Sequence, residues 1–198
     1  MNGSPIAALH GITRLVLAAG HGGKDPGACN GPHREADQAI VITDSIARLL
    51  IGAGMPVITA PHQHDTHESI PWINERYKFA DTVAIEIHRD SANTIREPDA
   101  SRRCGVYHGR AAVSQGIACH LVAGLIQAGA VSTSWARPDT ASGHGRLGFI
   151  RQVQCRSFIM ELGFMEGNNA PAHLAQLARM AAAAILETFT GRKLEAAK

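Results

Sequence analysis

The chain has 198 residues, a formal net charge of +2 at pH 7, and a composition that is 45% hydrophobic and 18% charged. This length is typical of one domain, and the apolar fraction together with the low net charge excludes intrinsic disorder. The small charge gives no indication of a nucleic-acid-binding surface. The unusual number is histidine, with 11 residues against two tryptophans and two tyrosines. Histidine serves as a metal ligand, an acid/base or a pH switch, so the question is which of the eleven have such a role.

The cysteines and the apolar runs indicate the cellular compartment. Cys29, Cys104, Cys119 and Cys155 form no CxxC motif and no close pair, which predicts reduced, mostly buried thiols. No apolar run reaches the ~18 residues of a membrane span. The first residues have no basic region and their apolar stretch contains His10, so we predict no signal peptide and expect synthesis in the cytoplasm.

The apolar periodicity along the chain predicts strands that alternate with helices. In chain order, strands are expected at 14–19, 55–60, 82–88, 104–108, 145–151 and 157–162. Helices are expected at 35–51, 66–80, 110–128 and over the apolar stripe 174–188, with a loop at 129–145. This order predicts one α/β domain, with a twisted, mostly parallel sheet of about six strands and helices on both faces. Its core spans about 14–189, and a short polar tail follows at 191–198.

Four polar residues lie at the predicted strand ends, where ligands bind in parallel sheets. The first strand leads to His21, the third ends at His88, and the last contains Glu161. Glu35 begins the first helix, where the helix dipole favours a carboxylate. Two imidazoles and a carboxylate can hold zinc with one position left for water, and a second carboxylate can take that water's proton. Because the four residues are scattered along the chain, their spacing alone leaves a metal site and a structural role equally open.

The same segments resemble a known family, the zinc-dependent N-acetylmuramoyl-L-alanine amidases of the type 3 catalytic domain. Residues 15–28 (LVLAAGHGGKDPGA) resemble its first strand and GHGGxDPGA loop, and residues 84–88 (AIEIH) resemble its SIH strand. Residues 147–151 (LGFIR) and 157–164 (SFIMELGF) resemble its closing VLR and VELGF segments, and Glu35 matches its glutamate ligand. The resemblance spans about 14–189, nearly the whole chain.

The resemblance implies a phosphorylase/hydrolase-like fold that forms a single catalytic domain. It implies that His21, Glu35 and His88 bind one Zn²⁺ and that Glu161 is the catalytic acid/base. The implied substrate is peptidoglycan, cleaved at the amide between the lactyl group of N-acetylmuramic acid and L-alanine. We expect no nucleic-acid partner and no stable membrane association, and we take the chain to be a monomer.

The predicted lack of a signal peptide makes the chain similar to a phage or prophage endolysin. Such an enzyme is made in the cytoplasm and reaches the cell wall through a holin-type pathway or lysis. A cytoplasmic amidase of wall recycling is the variant of this hypothesis, and neighbouring genes such as a holin would distinguish the two.

Several further residues have a functional and a structural interpretation. Glu86 stands where the family often has serine. We expect it to accept a hydrogen bond from His88 or to pair with an arginine, rather than to bind the metal itself. Arg146, Asp90 and His33 are candidate substrate contacts, as is Arg89, although each can instead be a solvated loop residue, and for His33 the loop interpretation is preferred. The dense run of His62, His64 and His67 is expected to be a polar loop, with Thr66 capping the next helix.

Two other functions remain open at this point. One is a zinc carboxypeptidase or N-acyl-amino-acid hydrolase on a related scaffold, which usually needs an arginine to bind a free carboxylate. The other is a non-catalytic module that binds the cell wall or zinc. Glu161, next to three candidate ligands, argues against the second.

Overall fold

One six-stranded sheet forms the centre of the computed structural model, which describes residues 12–92 and 100–195. The strands are β1 (Arg14–Ala19), β2 (Cys29–Asn30), β3 (His33–Arg34), β4 (Val57–Thr59), β5 (Thr82–Asp90), β6 (Cys104–His108), β7 (Trp135–Pro138) and β8 (Arg156–Phe164). The helices are α1 (Glu35–Gly52), α2 (Thr66–Arg76), α3 (Ala112–Gln127), α4 (Gly148–Gln152) and α5 (Pro171–Thr190).

The strand order in the sheet is β4-β1-β5-β8-β6-β7, and β2 with β3 forms a separate two-stranded ribbon. Strands β4, β1, β5 and β8 run parallel, whereas β6 runs antiparallel to β8 and parallel to β7. The predicted α/β fold with a mostly parallel sheet of six strands is confirmed. Because β1, β5 and β8 are parallel neighbours, their carboxyl ends meet at one edge of the sheet.

The apolar runs of the central strands reflect burial on both faces of the sheet. In β1, Leu15 and Leu17 face the core formed with α1, α3 and α5, whereas Val16 and Ala18 face the core formed with α2 and α4. The same alternation in β5 places Ile85 and Ile87 in the first core. Glu86 and His88 therefore project from the opposite face, on the side of α2 and α4.

The prediction of a strand at 145–151 is wrong, because the chain forms the short helix α4 there. Short apolar runs are ambiguous between strand and helix. Here Phe149 and Ile150, which a strand would place on opposite faces, are both buried against Ile70 and Ile159. The sixth strand is instead β7, inside the predicted loop 129–145. It lies at the edge of the sheet, includes Pro138 and lacks a two-residue apolar alternation.

The N-cap of helix α2 lies one residue earlier than the sequence indicates. The cap is Asp65 rather than Thr66, since the Asp65 side chain accepts a hydrogen bond from Glu68 N and the Glu68 side chain accepts one from Asp65 N. This reciprocal arrangement satisfies two free backbone donors at the helix start. The Thr66 hydroxyl therefore takes no part in the cap and makes a different contact, described below.

All four cysteines are free thiols, but only Cys104 and Cys155 are buried, while Cys29 and Cys119 are exposed. Burial raises the pKa of the Cys104 thiol to about 12 and that of Cys155 to about 11. Both buried thiols therefore act as small apolar side chains. Among the described residues, no helix is long and apolar enough to cross a membrane.

Candidate metal centre

Three side chains from separate segments converge at the carboxyl ends of β1 and β5. They are His21 after β1, Glu35 at the first position of α1, and His88 in β5. His21 Nε2 lies 3.1 Å from Glu35 Oε2, and His88 Nδ1 lies 2.9 Å from Glu35 Oε1. One ligand atom from each residue lies within 4.8 Å of the other two, and this is the one such group of three found among the described residues. Two imidazoles and a carboxylate can therefore hold a metal ion at this point.

Each histidine is fixed by a second carboxylate on its other ring nitrogen. His21 Nδ1 lies 2.7 Å from Asp25 Oδ2, and His88 Nε2 lies 3.1 Å from Glu86 Oε2. The Thr66 hydroxyl donates to Glu86 Oε1 at 2.8 Å, which anchors that carboxylate. Outer carboxylates of this kind orient metal-binding imidazoles and set their tautomer. The arrangement leaves His21 Nε2 and His88 Nδ1 directed at the centre.

Asp25 was not predicted from the sequence as a site residue. A carboxylate four residues after His21, in a glycine-rich loop that can fold back, is the signal that could have found it. The loop is closed by Gly27 N, which donates to Asp25 Oδ1 at 3.0 Å. Glu86, by contrast, lies in contact with His88, as expected for one of its two interpretations, and no arginine is bonded to it among the described residues.

Glu35 is held in the ionised form that a metal ligand requires. Burial raises the pKa of this carboxyl, but hydrogen bonds to His21 and His88 outweigh burial and hold the pKa well below its usual range. Ala28 N donates to its Oε2 at 3.0 Å and Arg89 N donates to its Oε1 at 3.2 Å. Burial lowers the pKa of His88, but its contacts with Glu35 and Glu86 outweigh burial and raise that pKa well above its usual value.

The backbone before His21 must approach the His88 ring closely. A Cβ atom on Gly20 would lie 2.3 Å from His88 Nε2 and Cε1, far inside van der Waals contact. His21 itself has a φ of 66°, the left-handed region that non-glycine residues seldom adopt. Both features place the two imidazoles against each other, with ring centroids 4.9 Å apart.

We expect Gly20→Ala to weaken binding of a divalent metal ion by about tenfold or more, since the added methyl displaces the His88 ring. Competition with a chelating dye measures this affinity. Gly116→Ala is the matched control, because a Cβ at this position in α3 meets no atom within 4 Å. Equal metal affinity of Gly20→Ala and the wild type would show that His88 is not a ligand.

Glu161 lies next to the metal centre without belonging to the group of three. It is directly opposite His88 in the register of β5 and β8, and it is partly buried. Burial is the main cause that raises the pKa of its carboxyl to about 8; His88 opposes burial, whereas Asp90, Glu35 and Glu86 act in the same direction as burial. A carboxyl group so placed can accept and release a proton beside the ion.

An open cleft of about 720 Å³ lies over these residues. One side carries the ligands, Glu161, Asp90 and Tyr107, and the other is formed by Ser142, Gly143, His144 and Leu147. Asp90 therefore lies where a substrate contact is predicted. His33, paired with Asn30 in the β2–β3 ribbon, and the exposed Arg146 are not among the residues that line the cleft.

An ion pair between the exposed Arg151 and the buried Asp139 supports the far side of the cleft. Arg151 Nε donates to Asp139 Oδ2 at 2.5 Å and Arg151 Nη2 donates to Oδ1 at 2.8 Å. Asp139 is fully buried. This two-point pair ties α4 to the segment after β7 and so fixes the ends of the loop that carries Ser142 to Leu147.

The His62–His67 stretch does not reach the metal centre. His62 Nε2 pairs with Asp44 Oδ1 at 2.8 Å, and the His64 ring packs edge-on against Trp72. The backbone oxygens of His62 and His64 lie where a Cβ of Gly22 would stand, so this segment supports the loop that carries His21. Residues 61–65 form the predicted loop, whereas His67 lies in α2.

Arg89 is a buried structural residue, whereas the sequence suggested a substrate contact or a solvated loop residue. It is 1% exposed. Its guanidinium donates to Gln38 Oε1 and Phe164 O at 2.8 Å each and to Gly163 O at 3.3 Å. These bonds join β5, α1 and β8, which carry His88, Glu35 and Glu161.

We expect Arg89→Met to lower the free energy of unfolding by about 2–4 kcal/mol, because the change removes the guanidinium donor from three buried acceptors, of which Phe164 O keeps a second donor, Gly167 N. Urea denaturation of the metal-free protein measures this loss. Arg48→Met on the exposed side of α1 serves as control and should cost less than about 0.5 kcal/mol. A similar small cost for Arg89→Met would contradict its structural role.

Comparison with known proteins shows which family the chain is similar to. A family model described as N-acetylmuramoyl-L-alanine amidase matches residues 15–189. No sequence among the curated proteins matches the chain.

Solved structures of amidases share the fold. The amidase AmiC2 of Nostoc punctiforme is 20% identical, with a TM-score of 0.70 over 89% of this chain and 97% of that chain. The catalytic domain of CwlV from Bacillus (Paenibacillus) polymyxa var. colistinus is 19% identical, with a TM-score of 0.70 over 88% and 97%. The catalytic domain of the CD27L endolysin targeting Clostridia difficile is 14% identical, with a TM-score of 0.67 over 92% and 99%.

Proposed function

The chain belongs to the N-acetylmuramoyl-L-alanine amidase family, and from this premise we propose how its cleft hydrolyses the amide between N-acetylmuramic acid and L-alanine in peptidoglycan. In our proposal one zinc ion is held by His21, Glu35 and His88, and Glu161 is the acid/base. The observation that carries the proposal is the convergence of the three ligand atoms within 4.8 Å, with Glu161 directly opposite His88.

The donor set supports zinc over other common divalent ions. Magnesium and calcium prefer oxygen ligands, whereas two imidazole nitrogens and one carboxylate suit zinc and leave a coordination position open. Asp25 and Glu86 add the outer carboxylates that zinc-binding histidines usually have. The ionised Glu35 offsets one positive charge of the ion.

In the reaction, the bound ion would polarise the amide carbonyl and lower the pKa of a coordinated water. Glu161 takes the proton from the attacking water and then donates it to the leaving nitrogen of L-alanine. Neighbouring strands lie about 4.8 Å apart, so the register keeps the Glu161 carboxyl within reach of a substrate held beside His88. Asp25 and Glu86 hold the imidazoles in place.

The cleft supplies candidate substrate contacts on both sides. Asp90 stands on the ligand side, and the exposed His144 stands opposite it. His33 and Arg146 would contact only a substrate that extends beyond the cleft. The open cleft suits a polymer that is bound from outside rather than a fully enclosed small molecule.

Digestion of purified muropeptides distinguishes the candidate activities. We expect new L-alanine N-termini and N-acetylmuramic acid with a free lactyl carboxylate. Released free amino acids would favour the carboxypeptidase or N-acyl-amino-acid hydrolase. Binding to cell walls with no bond cleaved would favour the non-catalytic module.

A further inference from the structure

Two rows of residues cross the sheet from the metal centre to its edge at β7. Residues directly opposite one another in neighbouring strands project from the same face of a sheet. The first row, in the order β5, β8, β6 and β7, is His88, Glu161, Gly105 and Trp135. The second row, in the same order, is Glu86, Ile159, Tyr107 and Arg137. Trp135 and Arg137 thus stand on the face of the sheet that carries the catalytic cleft, next to its lining residue Tyr107 but not among the lining residues themselves.

Trp135 packs directly against the sheet because Gly105 has no side chain. A Cβ on Gly105 would lie 2.2 Å from Trp135 Cζ2, so the indole occupies that space. The Tyr107 ring, which lines the cleft, meets the indole edge-on with centroids 4.7 Å apart. The Arg137 guanidinium lies over the indole, 4.6 Å from its centroid. Because the sheet covers one face of the indole, a sugar ring could stack on Trp135 only by displacing this guanidinium.

The stacked guanidinium keeps its N–H groups available. Arg137 is exposed, and no hydrogen bond or ion pair to a described residue engages it. Stacking on an aromatic ring orients a guanidinium while leaving its donors free in the ring plane for a carboxylate. The indole therefore prepares Arg137 to bind an anion in two-point fashion.

Negatively charged side chains surround the metal centre, whereas the positively charged Arg137 lies near the edge of the sheet. The side chains around the metal centre include the carboxyl groups of Asp25, Glu86, Asp90 and Glu161. Arg89, the arginine among the residues that line the cleft, is buried and bonded to Gln38 and two backbone oxygens. Arg137 therefore offers an anionic group of the substrate a free guanidinium two strands across from Glu161 and two residues along the strand, about 12 Å between the Cα positions.

We propose that Arg137, stacked on Trp135 and backed by Tyr107, binds the free α-carboxylate of the γ-linked glutamate that follows L-alanine in the peptidoglycan stem peptide. This inference rests on the proposed amidase function. An extended chain advances about 3.3–3.6 Å per residue, so an α-carboxylate on the second residue lies about 7 Å from the scissile nitrogen. The γ-linkage leaves this carboxylate free, and the long Arg137 side chain, which lies over Trp135, extends from β7 towards it.

Two synthetic muropeptides test the subsite, one with this α-carboxylate free and one with it converted to the carboxamide. We expect the wild type to prefer the carboxylate by about tenfold in kcat/KM, and Arg137→Gln to reduce the preference to within about twofold. Trp135→Leu should reduce it partway, because the guanidinium loses its stacking. Arg48→Gln, the same charge change on α1, should keep the full preference.

Binding of the product peptides gives the same comparison without turnover. Calorimetry with L-alanyl-γ-glutamate and its carboxamide should show about tenfold tighter binding of the carboxylate to the wild type, and nearly equal binding to Arg137→Gln. Equal affinity of the wild type for both peptides, or an Arg137→Gln loss of the same size on both, would overturn the subsite. Failure to cleave either muropeptide would instead overturn the proposed function, and the calorimetric comparison would still decide the subsite.

Discussion

Glu161→Gln is expected to lower kcat for muropeptide cleavage by about 10³-fold while the protein still binds one metal ion. The amide keeps the shape of the carboxyl group but cannot take the proton from water, and a positioned acid/base contributes about 10²–10⁴-fold. Metal binding should persist because Glu161 lies beside His88 in β8 rather than in the group of three ligands. Stopped assays of product release, together with metal analysis of the same sample, measure both quantities.

Glu75→Gln is the matched control for this variant, because Glu75 is exposed on α2 and loses the same charge. It should retain wild-type turnover. Wild-type turnover of Glu161→Gln would remove Glu161 from the mechanism. Loss of the metal together with turnover would assign Glu161 to the metal site instead.

Glu35→Gln is expected to weaken zinc binding by about 100-fold or more. The change removes the charged oxygen ligand and also disturbs how that side chain is held. Glu35 Oε1 accepts from Arg89 N and Oε2 accepts from Ala28 N, so either orientation of the new amide turns a donor towards a backbone donor. We therefore also expect the metal-free variant to lose about 1–3 kcal/mol of stability.

Zinc-dependent stabilisation provides the measurement for this second change. Zinc that binds only the folded wild type should raise its unfolding temperature in proportion to the logarithm of zinc concentration, and this rise should be nearly absent in Glu35→Gln. Asp37→Asn, an exposed residue in the same first turn of α1, is the control and should behave as the wild type. Undiminished zinc stabilisation of Glu35→Gln would exclude Glu35 as a ligand.

The meeting of His21, Glu35 and His88 follows from features that a sequence carries. Strands β1, β5 and β8 are buried on both faces and therefore appear as continuous apolar runs, whose ends can be located. Parallel strands place those ends together. Position at a strand end, rather than the number of histidines, thus selected the residues that the structure brings together. The run at His62, His64 and His67 was set aside on the same ground.

Other features depend on contacts that no local pattern reveals. Charged residues are seldom fully buried, so Arg89 was expected near a substrate or in solvent. Its acceptors, the backbone oxygens of Gly163 and Phe164, come from the other half of the chain. The edge strand β7 has little apolar pattern because one side of its ladder is unpaired. For the same reason, the sequence did not predict Trp135 and Arg137 as a candidate substrate subsite.

Titration of the metal-free protein with zinc, followed by release of peptide with an L-alanine N-terminus from a soluble muropeptide, tests the proposed centre most directly. A single site formed by His21, Glu35 and His88 predicts activity that rises linearly and stops at one equivalent of zinc per chain. His88→Ala should stay inactive at that ratio. Full activity of the metal-free protein, or activity that continues to rise to a second equivalent, would contradict a single catalytic zinc at this site.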